Sequence, residues 1–255
     1  MPAEDLVLIE QQDAVRCIAI NRPEALNALT RALAMALVEA LRDAGNDPAV
    51  GAIVLSGTGG RAFCAGVDLV EAVSLTPGDI PAWFTGISQC YRQILEVDKP
   101  VITALNGVAA GGGYQMGLVA DWRIGHPGTR MSQPEINAGL PSIMGSYLMR
   151  FHLPHGVNQA LSYTGQALDA AQCQQLGLLN EVVPQAQLAT AALARASDLA
   201  GRSAQAFRAT KARFREPILA GFDGARAAAI AGMQAAYAAG EAQARMRAFL
   251  DRRRP

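Results

Sequence analysis

The sequence has no long apolar run, since no window reaches the roughly 18 uninterrupted apolar residues that a membrane-spanning helix needs. Its first residues, Met1 to Asp5, also lack a basic stretch followed by an apolar core. The 4 cysteines are scattered, without a CxxC pair or the density typical of a disulfide framework. These absences predict a cytoplasmic protein with no export signal and no membrane partner.

An excess of charge of either sign is missing as well. The 255-residue chain has 22 basic and 22 acidic side chains, and 51% of its residues are hydrophobic. Balanced charge gives no general attraction to nucleic acid or to an anionic membrane. This length and apolar content suffice for a substantial core. We therefore expect one large α/β domain with a helical appendage, and no nucleic-acid partner.

Motifs for several other chemistries are incomplete. A dinucleotide fingerprint starting at Gly111 would need glycine or alanine where Met116 stands, and no GxSxG serine-hydrolase elbow occurs. His152 and His155 form an HxxH spacing without an acidic or cysteine partner nearby. Cys64 is more typical of a buried apolar filler than of a nucleophile. The sequence therefore predicts neither a metal nor a redox cofactor.

Short strands alternate with helices over about the first 200 residues. We expect strands at residues 15–20, 49–56 and 101–105, one helix from Thr30 to a break at 45–48, and another at 81–97. The alternation of Val15, Cys17 and Ala19 with their neighbours predicts a strand that is partly buried on both faces. The repeated strand-then-helix unit indicates an α/β fold.

The strand pattern stops at Ala186. Alanine-rich runs at 186–199 and 225–250 predict helices. The run at 225–239 is strongly apolar for a surface helix, so we expect it to pack against the core or a neighbouring subunit. Self-association is therefore expected.

Two segments far apart in the chain are typical of loops that each present a free backbone N–H. They are residues 63–69 (FCAGVDL) and residues 106–113 (NGVAAGGG). Each follows a strand-like run and precedes a helix-like one, so unsatisfied first-turn N–H groups and the positive helix end face one point. Two such donors form an oxyanion hole. This pattern indicates enolate chemistry on a thioester.

These loops belong to five segments that occur in the order typical of the crotonase superfamily, also called the enoyl-CoA hydratase/isomerase family. The others are residues 21–29 (NRPEALNAL), 132–135 (SQPE) and 246–253 (MRAFLDRR). The sequence resembles this family along nearly its whole length. The resemblance implies a right-handed superhelix of ββα turns, with a core at residues 1–197 and a helical trimerisation region at 198–255. It also implies a homotrimer or dimer of trimers, with coenzyme A as part of the substrate.

The resemblance further assigns the oxyanion donors to the N–H groups of Val67 and Gly112, and a proton-transfer carboxylate to Glu135. It implies a pocket wall from residues 71–83 and 140–147, and acyl-CoA binding by Ala25, Ala28, Ala65, Gly66, Val67, Asp68, Leu69, Gly111 and Gly112. One position departs from the family pattern, because Gln115 stands where many hydratases have a second glutamate. An amide is not a base near neutral pH. A single carboxylate favours double-bond isomerisation, whereas hydration would need Gln115 to position water.

Several of these residues have simpler structural interpretations. Ser132 and Glu135 match the spacing of a capping box. Asp68 could stabilise the start of the following helix as an acidic residue of its first turn, and Gln115 could be an amide that is hydrogen-bonded in the core. The glycines at 111–113 could serve a tight turn. The resemblance loosely suggests Arg22 and Lys211 as contacts for coenzyme A phosphates. The arginines at 252–254 are a further candidate contact and also suit a helix C-terminus.

The predicted function is an acyl-CoA-processing enzyme of the hydratase/isomerase type, a lyase or an isomerase, with one glutamate as acid and base. The change at Gln115 leaves open a catalytically quiet acyl-CoA-binding protein. Other reactions of the family, thioester hydrolysis and decarboxylation, are further alternatives.

Overall fold

Residues 6–252, which the computed structural model describes, form two β-sheets covered by helices. In the larger sheet the strands lie in the order β1 (Val7–Gln12), β2 (Val15–Ile20), β3 (Ala52–Gly57), β5 (Val101–Leu105), β7 (Trp122–Gly125) and β10 (Glu181–Val182). Its β1 and β2 are antiparallel and its other neighbours parallel. The smaller sheet has the order β4 (Ala62–Cys64), β6 (Val108–Ala110), β8 (Arg130–Ser132) and β9 (Ala167–Asp169), of which β9 is antiparallel to β8.

Helices connect most of these strands. They are α1 (Arg31–Asn46), α2 (Leu69–Val73), α3 (Ile80–Glu96), α4 (Gly112–Val119), α5 (Ile143–Met149), α6 (His155–Thr164), α7 (Ala170–Gln175), α8 (Leu188–Ala200), α9 (Ala204–Ala238) and α10 (Glu241–Asp251). Single 3-10 turns occur at Pro23–Ala25, Glu135–Ala138 and Gln185–Gln187. Within residues 6–252, every helix is too short or too polar to span a bilayer.

The strands β2, β3 and β5 of the larger sheet are covered on both faces, partly so in β2, as its alternation predicted, whereas the edge strand β1 is mostly exposed. On one face, Ile18 and Ile20 join the main core with the apolar stripe of α1 (Leu33, Leu37 and Leu41). On the other face, Val15 packs in a smaller cluster under α8. The strand prediction for residues 15–20 is thus confirmed together with its burial.

Local signals located the first elements well. Thr30 caps α1 by accepting a hydrogen bond from the Leu33 N–H at 3.2 Å, and the helix ends at the predicted break. The strand expected from residue 49 begins only at Ala52, because Asp47 holds the preceding residues in a turn. Its side chain accepts from the Ala49 N–H at 2.9 Å, and its carbonyl accepts from the Val50 N–H at 3.1 Å.

The predicted helix at 225–250 was wrong in its bounds. Helix α9 starts at Ala204, continues through Pro217, and stops before Gly240, whose φ of +73° separates it from α10. A buried row of Ala229, Met233 and Tyr237 packs α9 on the core of its own chain. The division at residue 197 and the role of residues 198–255 in trimerisation stay predictions.

Candidate active site

The first predicted loop connects β4 to α2 and is held by Leu29. The Leu29 N–H donates to the Gly66 carbonyl at 2.7 Å, and the Asp68 N–H donates to the Leu29 carbonyl at 2.8 Å. This is the pattern of a parallel bridge between Leu29 and Val67, in which Leu29 forms its hydrogen bonds with the residues on either side of Val67 and not with Val67 itself. The N–H of Val67 itself therefore points away from Leu29.

The second predicted loop, residues 106–113, is not a loop throughout, because β6 (Val108–Ala110) lies within it. The chain turns from β6 into α4 through Gly111, whose φ is +50°. Its N–H donates to the Ser132 carbonyl at 2.9 Å. The start of α4 lies flush against β4, since a Cβ on Gly113 would overlap the Cys64 carbonyl. This glycine is therefore required by close packing.

The two loops meet, as the sequence predicted. A Cβ on Gly66 would lie 3.7 Å from the Gly112 nitrogen. Among residues 6–252, the N–H groups of Val67 and Gly112 have no hydrogen-bond acceptor, and both residues line one cavity. Two uncommitted donors beside one cavity have the arrangement of an oxyanion hole.

Glu135 is brought to the same place from a different part of the chain. A Cβ on Gly111 would lie 3.0 Å from the Glu135 Oε1. Glu135 is the first residue of a 3-10 turn. Pro134 occupies the N-cap position of this turn and makes no side-chain hydrogen bond there, and Ser132 is the last residue of β8. The capping-box interpretation is therefore wrong, because these residues do not begin an α-helix with free N–H groups for them to satisfy.

The carboxyl group of Glu135 is removed from water, although the rest of the residue is partly exposed. Its Oε1 accepts a hydrogen bond from Gln115 Nε2 at 3.1 Å, and its Oε2 is buried without a partner. Burial raises the pKa of Glu135 to about 7, against smaller opposing effects of its own N–H and of Gln133. A carboxyl with such a pKa can both accept and return a proton near neutral pH.

Val67, Gly112, Gln115 and Glu135 all line a small space of about 40 Å³, here called the inner cavity. Its apolar wall contains Trp83, Phe84, Leu140, Ile143, Met144 and Met233, and its other polar side chains include Gln133 and Ser142. Trp83, Leu140, Ile143 and Met144 come from the two segments predicted to form the pocket wall, whereas Phe84 and Met233 do not. Sequence reasoning did not single out Tyr91, Gln133 or Met233, because no spacing signal links them to the loops.

A larger space of about 630 Å³, here called the outer cleft, adjoins the inner cavity. The two share Val67, Glu135 and Leu140. The outer cleft is lined by eight of the predicted acyl-CoA-binding residues, namely Ala25, Ala28, Ala65, Gly66, Val67, Asp68, Leu69 and Gly111, while Gly112 lines the inner cavity. Arg61 also lines the outer cleft, with Phe249 and Leu250 of α10. A large cleft beside a small cavity with mixed apolar and polar walls can hold a long polar group with a short acyl end.

Asp68 has the structural role expected of a first-turn acid. Its Oδ1 accepts from the N–H groups of Val70 and Glu71 at 2.9 and 3.1 Å, which caps α2. Its Oδ2 pairs with Arg22 Nη1 at 3.0 Å, and this nitrogen also donates to the Ala28 carbonyl at 2.6 Å. The guanidinium of Arg22 is thus engaged in fixing the first loop, and Arg22 is not among the residues lining the outer cleft.

Lys211 was wrongly predicted to contact phosphate. Its side chain is buried, and its Nζ donates to Asp121 Oδ2 at 2.7 Å and to the Lys99 carbonyl at 3.0 Å. This ion pair attaches α9 to the larger sheet instead. Arg252 is exposed after α10, and Arg253 and Arg254 lie outside the described residues.

The remaining candidates for other chemistry are placed elsewhere. Burial raises the pKa of the Cys64 thiol to about 12, which fits a filler rather than a nucleophile. Burial lowers the pKa of His152 to about 4, whereas His155 is an exposed first residue of α6. In the described part of the chain, no three His, Cys, Asp or Glu side chains cluster as metal ligands would.

Comparison with known proteins agrees with this architecture. The sequence profile of the family described as enoyl-CoA hydratase/isomerase matches residues 10–255. A carboxymethylproline synthase from Pectobacterium carotovorum subsp. carotovorum is 32% identical over 249 residues, which cover 97% of this chain and 100% of that protein. A crotonyl-CoA hydratase from Syntrophomonas wolfei subsp. wolfei is 27% identical over 253 residues, which cover 99% of this chain and 97% of that protein.

A solved structure supports the fold as well. The crystal structure of an enoyl-CoA hydratase/isomerase from Mycobacterium paratuberculosis matches 95% of this chain and 97% of its own, with a TM-score of 0.87 at 22% identity. The predicted crotonase fold is thereby confirmed. Since the family profile and the relatives both span nearly the whole chain, this protein belongs to the enoyl-CoA hydratase/isomerase family.

Proposed function

We propose that this acyl-CoA-processing enzyme forms an enolate from a thioester in the inner cavity. The thioester oxygen accepts hydrogen bonds from the N–H groups of Val67 and Gly112, and Glu135 removes the α-proton. The observation that carries the proposal is the meeting of two uncommitted N–H groups with one buried carboxyl whose pKa is about 7. Such donors stabilise the charge that develops on the oxygen as the proton leaves.

The same carboxyl then returns the proton, which makes double-bond isomerisation the simplest reaction. Glu135 takes a proton from C2 of a 3-enoyl thioester, the electrons pass into a dienolate, and the protonated carboxyl returns a proton to C4. Glu135 is the one carboxylate among the described residues that line the inner cavity. Because Gln115 donates its amide hydrogen to Glu135, it orients the base without acting as a second one.

Hydration is the second candidate, and a different atom of Gln115 favours it. Its Oε1 is buried in the inner cavity without a donor, so it could accept a hydrogen bond from a water molecule beside Glu135. Several relatives are named as hydratases, whereas one is named as a synthase. The chemistry of either candidate needs only carboxyl and N–H groups, so the proposal includes no metal or redox cofactor.

We also propose that the outer cleft binds the coenzyme A part of the substrate. The cleft is lined by Arg61, an exposed cation, and by the backbone of both loops. A guanidinium binds phosphate oxygens through charge-assisted hydrogen bonds. The resemblance to the family supports a homotrimer or a dimer of trimers, and four unpaired cysteines support a reducing cytoplasm.

The first test is to incubate the purified protein separately with 2-butenoyl-CoA and 3-butenoyl-CoA and to analyse the thioesters by chromatography and mass spectrometry. Isomerisation is expected to interconvert the two without a mass change, and hydration to add the mass of water to the 2-enoyl thioester. The Glu135→Gln variant should bind both thioesters and turn over neither. Normal turnover by this variant, or no reaction by the native protein, would remove enolate chemistry from the proposal.

A further inference from the structure

The inner cavity contains more unpaired polar atoms than the proposed proton transfer needs. Eight buried side-chain nitrogen and oxygen atoms among residues 6–252 have no hydrogen-bond partner. Five of them belong to residues that line the inner cavity, namely Gln115 Oε1, Gln133 Nε2, Gln133 Oε1, Glu135 Oε2 and Ser142 Oγ. Buried polar groups in folded proteins are almost always paired, so this concentration indicates a ligand that supplies the partners.

Gln133 carries most of this signal. Its side chain is buried with 1% of its surface exposed. Its amide lies near enough to the Glu135 carboxyl to lower the pKa of that group, but neither amide atom has a partner of full hydrogen-bonding geometry. The amide of Gln133 packs directly against Gly145, so a Cβ on Gly145 would overlap the amide. The glycine therefore makes room for a polar group in an otherwise apolar wall. A leucine at position 133 would avoid the desolvation cost, so stability alone does not account for this glutamine.

Ser142 adds a second unused group from another segment. It occupies the N-cap position of α5, but its side chain caps no N–H of that helix. Its hydroxyl is buried and unpaired in the wall of the inner cavity. Gln133 and Ser142 together offer both donors and acceptors.

The charge of the wall restricts the chemistry of the group that would bind. No lysine, arginine or histidine is among the described residues that line the inner cavity, and Glu135 is the acidic one. A second carboxylate there would be repelled by Glu135 and would have no counter-ion. A hydroxyl or a carboxamide, each of which both donates and accepts, satisfies the unpaired atoms without adding charge.

The size of the cavity restricts the chain length. The accessible volume of the inner cavity is about 40 Å³, compared with about 630 Å³ for the outer cleft, so the inner cavity favours a short acyl end.

We propose that the acyl group processed by this enzyme is short and ends in an uncharged hydrogen-bonding group, a hydroxyl or carboxamide, which Gln133 and Ser142 bind. This inference rests on the proposed function in that it places the α-carbon beside Glu135. It goes beyond that function by naming the chemical class of the acyl end.

The test compares 4-hydroxybutanoyl-CoA with pentanoyl-CoA, which has a methyl group in place of the hydroxyl, and with succinyl-CoA, which has a carboxylate. Isothermal titration gives the Kd of each thioester, and mass spectrometry in heavy water gives the rate of α-proton exchange. An incubation without enzyme corrects for spontaneous cyclisation of 4-hydroxybutanoyl-CoA. We expect the hydroxyl compound to bind about tenfold or more tightly than pentanoyl-CoA.

Ser142→Ala and Gln133→Met should each reduce this preference to about threefold or less. Gln243→Met is the matched control, since Gln243 Oε1 is also buried and unpaired but Gln243 does not line the inner cavity. Ser142→Ala decides the question alone if Gln133→Met fails to fold. Equal binding of the hydroxyl and methyl compounds would overturn the proposal, as would tightest binding of succinyl-CoA or a preference that both variants retain. A hydroxyl preference without proton exchange would support the polar site and refute the enolate chemistry.

Discussion

Replacing Glu135 by glutamine should make the protein more stable at alkaline pH while nearly abolishing its activity. Burial raises the pKa of this carboxyl from 4.5 to about 7, so the folded protein binds more protons than the unfolded chain between these pH values. The free energy of unfolding therefore falls as pH rises through this window and stays lower above it. The contribution of Glu135 to stability is fully present below pH 4.5 and lost above about pH 7.

The size of the effect follows from the pKa. A difference of 1 in pKa corresponds to about 1.36 kcal/mol. A pKa raised from 4.5 to about 7 therefore lowers the free energy of unfolding at pH 8 by about 3 kcal/mol. A glutamine carries no charge at any pH, so Glu135→Gln should recover most of this loss. For a chain of this size, the midpoint of thermal unfolding should rise by roughly 6 °C or more at pH 8. The difference should shrink towards zero near pH 5.

The assay is thermal unfolding of both proteins at one fixed concentration between pH 5 and pH 8. Turnover of an enoyl-CoA thioester should fall by roughly 10² to 10⁴ in the same variant, the range typical of a lost general acid or base. Glu39→Gln is the control, since Glu39 is exposed on α1, and its effect should be small at every pH. A stability difference between native protein and Glu135→Gln that does not change with pH would refute the argument, because it would show that the carboxyl is not held in a dry site.

Three further substitutions test the second loop, the outer cleft and the attachment of α9. Gly112→Ala places a Cβ 2.9 Å from both Leu29 Cδ1 and the Tyr91 hydroxyl. The resulting distortion of the second loop should lower steady-state turnover by roughly 10² or more. The control is Gly224→Ala, which should leave turnover unchanged because nothing lies within 4 Å of its new Cβ. Arg61→Ala should raise the KM for coenzyme A thioesters by about fivefold and leave the KM for N-acetylcysteamine thioesters unchanged; equal effects on both would contradict a phosphate contact. Lys211→Met should lower the free energy of unfolding in urea by roughly 3 kcal/mol, since Asp121 loses its ion-pair partner and keeps the hydrogen bond from the Val101 N–H. Weaker acyl-CoA binding with normal stability would restore the phosphate role.

The positions of the two loops could be predicted from the sequence because their causes are local. Each loop joins a short apolar strand to a helix start, and its glycines allow the turn. Gly66 and Gly111 adopt positive φ angles, +101° and +50°, which few other residues tolerate. The cap at Thr30 and the stripe on α1 are local signals of the same kind.

Other features depend on residues distant in the chain, and local patterns misjudged several of them. Ser132 and Glu135 have capping-box spacing, but the pairing of β8 with β6 uses Ser132 as a strand residue. Lys211 resembles a solvent-exposed cation by sequence, whereas its contact with Asp121, 90 positions away, buries it. Helix α9 continues through Pro217, because its packing against α3 and α5 outweighs the local preference to stop there.

The sequence by itself predicted the family and the strand-to-helix turns of both loops, because segment order and turn chemistry are local properties. The resemblance to the family, and not a local signal, led to the proposal that Glu135 moves the proton. Only the tertiary structure decided the state of that carboxyl and the polarity of the cavity around it. The raised pKa of Glu135 comes from burial by surrounding segments, and its contact with Gln115 joins residues 20 positions apart. The unpaired groups of Gln133 and Ser142 likewise become a site only when folding removes them from water, and no spacing in the sequence encodes that desolvation.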